Sequence, residues 1–124
     1  MRTPVSTKDA PQAIGPYSQA IKANGFVFVS GQTPINPING MVIGDIEEQT
    51  ERAMQNITAI LRAAGSSMEK VVRCGVFLKN MNDFAKMNAV YGKHFTQPYP
   101  ARTTIEAARL PKDVLVEIDV VALE

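Results

Sequence analysis

From Val114 to Leu123 the chain alternates without interruption. Val114, Val116, Ile118, Val120 and Ala122 fall on one side of an extended backbone, and Leu115, Glu117, Asp119, Val121 and Leu123 on the other. The first side is wholly apolar and the second half apolar, so a strand here needs cover on both faces. Phe26-Val27-Phe28-Val29, a β-forming run ending at Ser30-Gly31, has the same character. So does Val71 to Leu78, where Val72, Cys74, Val76 and Leu78 face one way and Val71, Gly75 and Phe77 the other.

Two segments carry helical periodicity instead. Asp45 is placed to cap free backbone N–H groups, with Glu48 three residues on in capping-box position. Behind them Ala53, Ile57, Ile60, Leu61 and Ala64 recur at i, i+4, i+7, i+8 and i+11, Arg52 and Arg62 stay outside, and Gly65 supplies the stop. A second helix, capped by Asn80 or Asn82, aligns Phe84, Met87, Asn88, Tyr91 and Phe95. Gln97-Pro98-Tyr99-Pro100 ends it and leads to a strand from Ala101 to Ala108, a turn at Leu110-Pro111-Lys112-Asp113, and the last strand. Residues 1 to 24, with Pro4, Pro11 and the Gly15-Pro16 turn signal, read as extended or looped. Residues 32 to 44 read as turns around a short strand from Met41 to Ile43.

Strands, helix, strand, helix, strand, strand is the order of an α+β domain spanning residues 1–124. The expected architecture is one mixed or antiparallel sheet with both helices packed on a single face. Two helices cover one side of such a sheet, and the other side still needs burial. Large exposed apolar patches are rare on soluble monomers, so the simplest cover is a second copy of the chain in a closed homo-oligomer.

Charge narrows the partners. Thirteen Lys and Arg stand against 12 Asp and Glu, scattered singly, which does not suit a phosphate backbone, and nucleic acid is not the expected partner. Cys74 and His94 are the only residues of their kinds, so neither an internal disulfide nor a Cys/His metal cluster is expected. No stretch approaches the roughly 20 apolar residues of a membrane span, and Met1-Arg2-Thr3-Pro4 does not open a secretory signal. The expected setting is the cytoplasm, without a membrane. The glycines lack dinucleotide or P-loop spacing, and no cofactor is expected.

Three residues break the apolar patterns, which is where function tends to sit. Asn88 lies in the inner stripe of the second helix, as a structural amide or a ligand contact. Glu117 lies among apolar neighbours in mid-strand; buried, it would be a candidate base with a raised pKa, and exposed, a solvated carboxylate. Arg102 enters its strand straight from a proline turn, offering a planar fork of donors to a carboxylate or pairing with Glu106. His94 reads as a helix-surface residue and Cys74 as core.

Several segments resemble the RidA family, also called the YjgF family. They are Ala13-Ile14-Gly15-Pro16-Tyr17-Ser18-Gln19-Ala20, Val29-Ser30-Gly31-Gln32, Asn88-Ala89-Val90-Tyr91-Gly92 and Pro100-Ala101-Arg102-Thr103. The likeness runs on through Ala108-Arg109-Leu110-Pro111-Lys112-Asp113 to Val116-Glu117-Ile118 and covers nearly the whole chain in order. It implies a chorismate-mutase-like fold, with one mixed, mostly antiparallel six-stranded sheet and two helices on one face, and a homotrimer with an inner barrel of sheets and clefts between subunits. It also implies hydrolysis of reactive 2-imino and enamine acids, such as 2-aminoacrylate, 2-iminopropanoate and 2-iminobutanoate, to 2-keto acids and ammonia. Carried over, Arg102 binds the substrate carboxylate and Glu117 positions and activates water. Tyr17, Ser30, the backbone of Gly31, Asn88 and the backbone at Thr104 complete the site. Many family members have Cys where this chain has Thr104, so activity is expected to remain while any thiol-based regulation is lost. Two alternatives stand beside it: a non-enzymatic regulatory protein whose cleft binds small carboxylates, and, from names this family has also borne, an endoribonuclease or translation inhibitor. Having both Arg102 and Glu117 favours the enzyme, since binding needs only the arginine. Near-neutral charge and a lone histidine disfavour the ribonuclease.

Overall fold

The computed structural model describes residues 1–124. Its first helix, α1 (Ile46–Ala63), starts at the expected cap. An Asp45 carboxylate oxygen accepts from the Glu48 N–H at 3.0 Å, and Glu48 Oε1 accepts from the Asp45 N–H at 3.4 Å. Gly65, at φ +80°, takes the left-handed position just past the helix that a side chain would strain. Ala53, Ile57, Ile60 and Leu61 are fully buried, confirming the inner face. Arg62 is exposed but Arg52 is half-buried, so only one of the two arginines lies fully outside.

The strands are β1 (Thr3–Val5), β2 (Ala20–Ala23), β3 (Phe26–Gln32), β4 (Val71–Leu78), β5 (Ala101–Glu106) and β6 (Val116–Leu123). They form one sheet in the order β1-β2-β3-β6-β4-β5, antiparallel except for β4 and β5. β6 is inserted between β3 and β4, which makes those two parallel to each other, and α1 is their crossover. The second helix, α2 (Phe84–Tyr91), is the crossover of the parallel pair β4 and β5. α1 packs on β3, β6 and α2, so both helices lie on one face. Between helices and sheet sit Val27, Val29, Cys74, Val76, Leu78, Val116, Ile118 and Val120, none more than 4% exposed, with Met54 and Met87.

Four local expectations change. The opening segment contributes two short strands, with Val5 and Ala20 buried; β1 is an edge strand, where Pro4 is tolerated. Met41 to Ile43 is not a strand, because the loop closes on itself: the Asn36 N–H donates to Met41 O at 2.9 Å and the Gly40 N–H to Asn36 O at 2.8 Å. A register shift between Val71 and Arg73 breaks the alternation of β4, turning Val71 into the core and Val72 outward. Finally, β5 stops at Glu106 and β6 starts only at Val116. The Leu115 N–H is taken by Gln49 Oε1 of α1 at 2.8 Å.

The other face of the sheet is bare in the single chain. Phe28, Ile105 and Leu123 are each close to half exposed (46%, 46% and 45%), beside half-buried Phe77 and Val121.

Candidate functional site

Arg102 projects from β5 toward the helices, since its partner in the β4 register is the core residue Cys74. There α2 receives it. Its guanidinium carbon lies 4.8 Å from the ring centre of Tyr91 and 5.5 Å from that of Phe84, and Nη1 donates to Asn88 Oδ1 at 2.7 Å. Phe84, Asn88 and Tyr91 are spaced i, i+4 and i+7, so one helical stripe supplies both aromatic supports and the acceptor. Asn88 is therefore an acceptor at the site rather than a tie to a loop. The pairing with Glu106 does not form, because Glu106 Oε1 accepts from the Met81 N–H at 2.8 Å.

Two residues along β5, Thr104 points to the same face, and its Oγ1 is buried without a partner, as is the Tyr91 hydroxyl. Burial pushes the Tyr91 phenol and the Cys74 thiol above their ordinary values. Cys74, fully buried, is a core thiol as expected.

Glu117 belongs to the opposite face. It sits across from Phe77 of β4, between the core residues Val116 and Ile118. It is half-buried, and burial, then the nearby Asp119 charge, raises its carboxyl above the ordinary carboxylate value. A one-residue bulge in β3 between Val29 and Gln32 lets both of those residues face the core and brings Gly31 beside Glu117. A Cβ built on Gly31 would overlap the Glu117 carboxylate, so any side chain here would push that carboxylate from its place. The Ser30 hydroxyl donates to Ser18 O at 2.6 Å and its N–H to Gln19 O at 2.9 Å, fastening the opening loop and hence Tyr17. Tyr17, Gly31, Gln32, Lys112 and Glu117 line a cavity of about 280 Å³.

Its rim is fixed by residues that reading the sequence did not single out. Gln49 donates to Gly44 O at 3.0 Å while holding Leu115, and Asn56 donates to Thr33 O at 3.1 Å and Ile35 O at 2.9 Å. The detectable signal is two amides seven residues apart on the inner side of α1. Lys112 and Asp113 adopt left-handed angles, φ +56° and +54°, in a turn clasped by the Arg109 fork on Asp113.

His94 also differs from expectation. Its Nε2 lies 2.8 Å from Glu51 Oε1, and the side chain is only 18% exposed, so it joins the end of α2 to α1 instead of standing on the surface. Burial pushes the Glu51 carboxyl up, but the hydrogen bonds with His94 and Gln55 outweigh it and leave the group below its ordinary value.

One chain thus gathers two separate clusters: Arg102 with Asn88 and Thr104 under α2, and Glu117 with Tyr17 and Gly31 on the other face, where Ser30 fastens the loop that carries Tyr17. It does not bring the two together, because Arg102 and Glu117 lie on opposite faces of one sheet. No group of three His, Cys, Asp or Glu side chains converges, and no helix is long and apolar enough to cross a membrane.

The family model described as Endoribonuclease L-PSP matches residues 7–124. A RutC family protein from Pyrococcus horikoshii, PH0854, is 53% identical over 98% of both chains. Among solved structures, YyfA of Yersinia pestis, described as a protein of the conserved Rid family, is 44% identical and superposes over 100% of both chains with a TM-score of 0.97. TdcF of E. coli, solved with bound serine, is 39% identical over 98% of both chains, with a TM-score of 0.94. With nearly its whole length matched in sequence and in fold, the chain belongs to the Endoribonuclease L-PSP family, the Rid or YjgF family that its motifs resemble.

Proposed function

We propose that the chain hydrolyses reactive 2-imino and enamine acids to 2-keto acids and ammonia, as a homotrimer in which Arg102 of one copy and Glu117 of the next close a shared cleft. The observation that carries this reading is the pair of incomplete half-sites on opposite faces, one cationic and preorganised, the other a half-buried carboxyl. The bare apolar face, with Phe28, Ile105 and Leu123, is the surface whose cover by further copies would join them.

The guanidinium, supported by the rings of Tyr91 and Phe84 and bonded to Asn88, keeps its remaining donors for a carboxylate. Serine bound to the E. coli relative is a small amino acid of that kind. With the carboxylate fixed, the C=N carbon is presented to water held by Glu117. With the substrate as its iminium, the carboxylate takes a proton from that water as oxygen adds to carbon, returns it to nitrogen as the carbinolamine expels ammonia, and takes up the hydroxyl proton as the keto group forms. Tyr17, Ser30 and the Gly31 backbone line the water side, Thr104 the carboxylate side. No step calls for a metal, a cofactor or a thiol, and the cytoplasm is the proposed setting.

The test couples a threonine or serine dehydratase to the purified chain and follows imine decay against semicarbazide trapping. Faster keto-acid release, lost in Arg102→Ala with assembly intact, supports the reading. No acceleration by the native chain overturns it in favour of a carboxylate-binding regulator.

A further inference from the structure

Resting on the deaminase reading, we propose that Asp119 is a positioning residue that governs when Glu117 carries its proton, so that the site can protonate the substrate nitrogen before water attacks. Glu117 and Asp119 are alternate residues of β6, on the same face and about 7 Å apart along the strand. Each lies over a glycine of a flanking strand. A Cβ on Gly31 of β3 would overlap the Glu117 carboxylate, and a Cβ on Gly75 of β4 would overlap that of Asp119. Two carboxylates are thus admitted side by side into the face that also carries Phe77, Val121 and Leu123.

Asp119 is held in place from the far side. Arg73 of β4 brings Nη1 to 3.9 Å from Asp119 Oδ1, while its Nη2 donates to Thr103 Oγ1 of β5 at 3.4 Å. Within the chain only Asp119 of these two neighbouring carboxylates is paired with a cation, so Glu117 is the one to accept the proton that two adjacent like charges favour. Within the chain the other groups facing Glu117 are Tyr17 of the opening loop and Lys112 of the turn before β6, with uncharged Gly31 from β3 and Phe77 from β4, and across the shared cleft stands Arg102 of the next copy. Burial of Glu117, followed by the Asp119 charge, raises its carboxyl, in agreement with this arrangement.

The chemistry closes on itself. Glu117 as the acid gives its proton to the imine nitrogen, forming an iminium whose carbon is more electrophilic. The resulting carboxylate takes a proton from the attacking water, giving the carbinolamine and restoring the acid. The acid then protonates the amino group, ammonia leaves, the carbinol O–H proton returns to Glu117, and the 2-keto acid remains. Imine and water are consumed, keto acid and ammonia are released, and Glu117 ends as it began.

The experiment is a carboxyl-carbon NMR titration of Glu117 in the full chain, assigned by its disappearance in Glu117→Gln, for the native protein, Asp119→Asn and Arg73→Met. The expected midpoint moves to lower pH in Asp119→Asn and to higher pH in Arg73→Met. The limb of the kcat/KM profile that reports Glu117 moves with it in each case. An unchanged or raised midpoint in Asp119→Asn overturns the proposal, as does an unchanged or lowered one in Arg73→Met, and either variant decides alone if the other does not fold. Midpoints that move as expected while the kcat/KM profile stays fixed support the charge coupling and overturn instead the role given to Glu117 in hydrolysis.

Discussion

Asn88 Oδ1 accepts a 2.7 Å hydrogen bond from Nη1 of Arg102, joining the inner stripe of α2 to the strand that follows it. A charge-assisted bond of this kind contributes about 1.5–3 kcal/mol. Asn88→Ala is therefore expected to weaken binding of a small carboxylate such as pyruvate by roughly tenfold or more. Calorimetric titration checks this; affinity within twofold of the native value would show that the aromatic rings of Tyr91 and Phe84 orient the guanidinium unaided.

Gly31→Ala inserts a methyl group where the Glu117 carboxylate lies. The carboxylate has to move by an ångström or so, a displacement that costs on the order of a hundredfold in a positioned reaction. The expected outcome is a fall of that size in kcat, with the far-UV spectrum of the native fold. Imine-decay kinetics and circular dichroism read the two quantities separately.

Glu117 also links pH to stability. Burial and Asp119 hold its carboxyl above the ordinary value of 4.5, so in the folded chain it keeps a proton that the unfolded chain has already released. Its contribution to stability is complete below about 4.5 and is lost as pH rises through the raised value. Glu117→Gln, which has no charge to bury, gains on the native protein over that climb. Thermal melts from about pH 4 to about pH 8 should show the Tm of the variant rising relative to the native one; a difference independent of pH contradicts this.

The bare sheet face gives a separate test. Phe28→Asp places an unpaired charge beside Val121 and Leu123, where association would bury it. Sedimentation is expected to show trimers of the native chain and smaller species of the variant, with deaminase activity falling in parallel. Full activity in a monomeric variant would place the whole site within one copy.

How much of this the sequence disclosed follows from how local each feature is. The capping box at Asp45 and Glu48 and the inner stripe of α1 depend on spacing within one segment, and both stand as read. The face assignment of Val71 and Val72 failed because a bulge is set by the partner strand β6, and period-two counting has no access to it. β1 and β2 were missed because three- and four-residue strands draw their stability from pairing rather than from their own residues. His94 was misplaced because its partner Glu51 lies 43 residues away. Arg102, Glu117 and Asn88 stood out as breaks in apolar patterns. The division of Arg102 and Glu117 between two faces depends on strand order, which only the fold supplies.

The shared cleft is tested most directly by mixing two inactive variants. Arg102→Ala and Glu117→Gln, each inactive alone, are denatured together in equal amounts and refolded. If every cleft takes its arginine from one copy and its carboxyl from the next, roughly a quarter of the clefts in random trimers carry both, and imine hydrolysis returns to about that fraction of the native rate. A refolded mixture that assembles normally yet stays as inactive as its parents would contradict a site shared between copies.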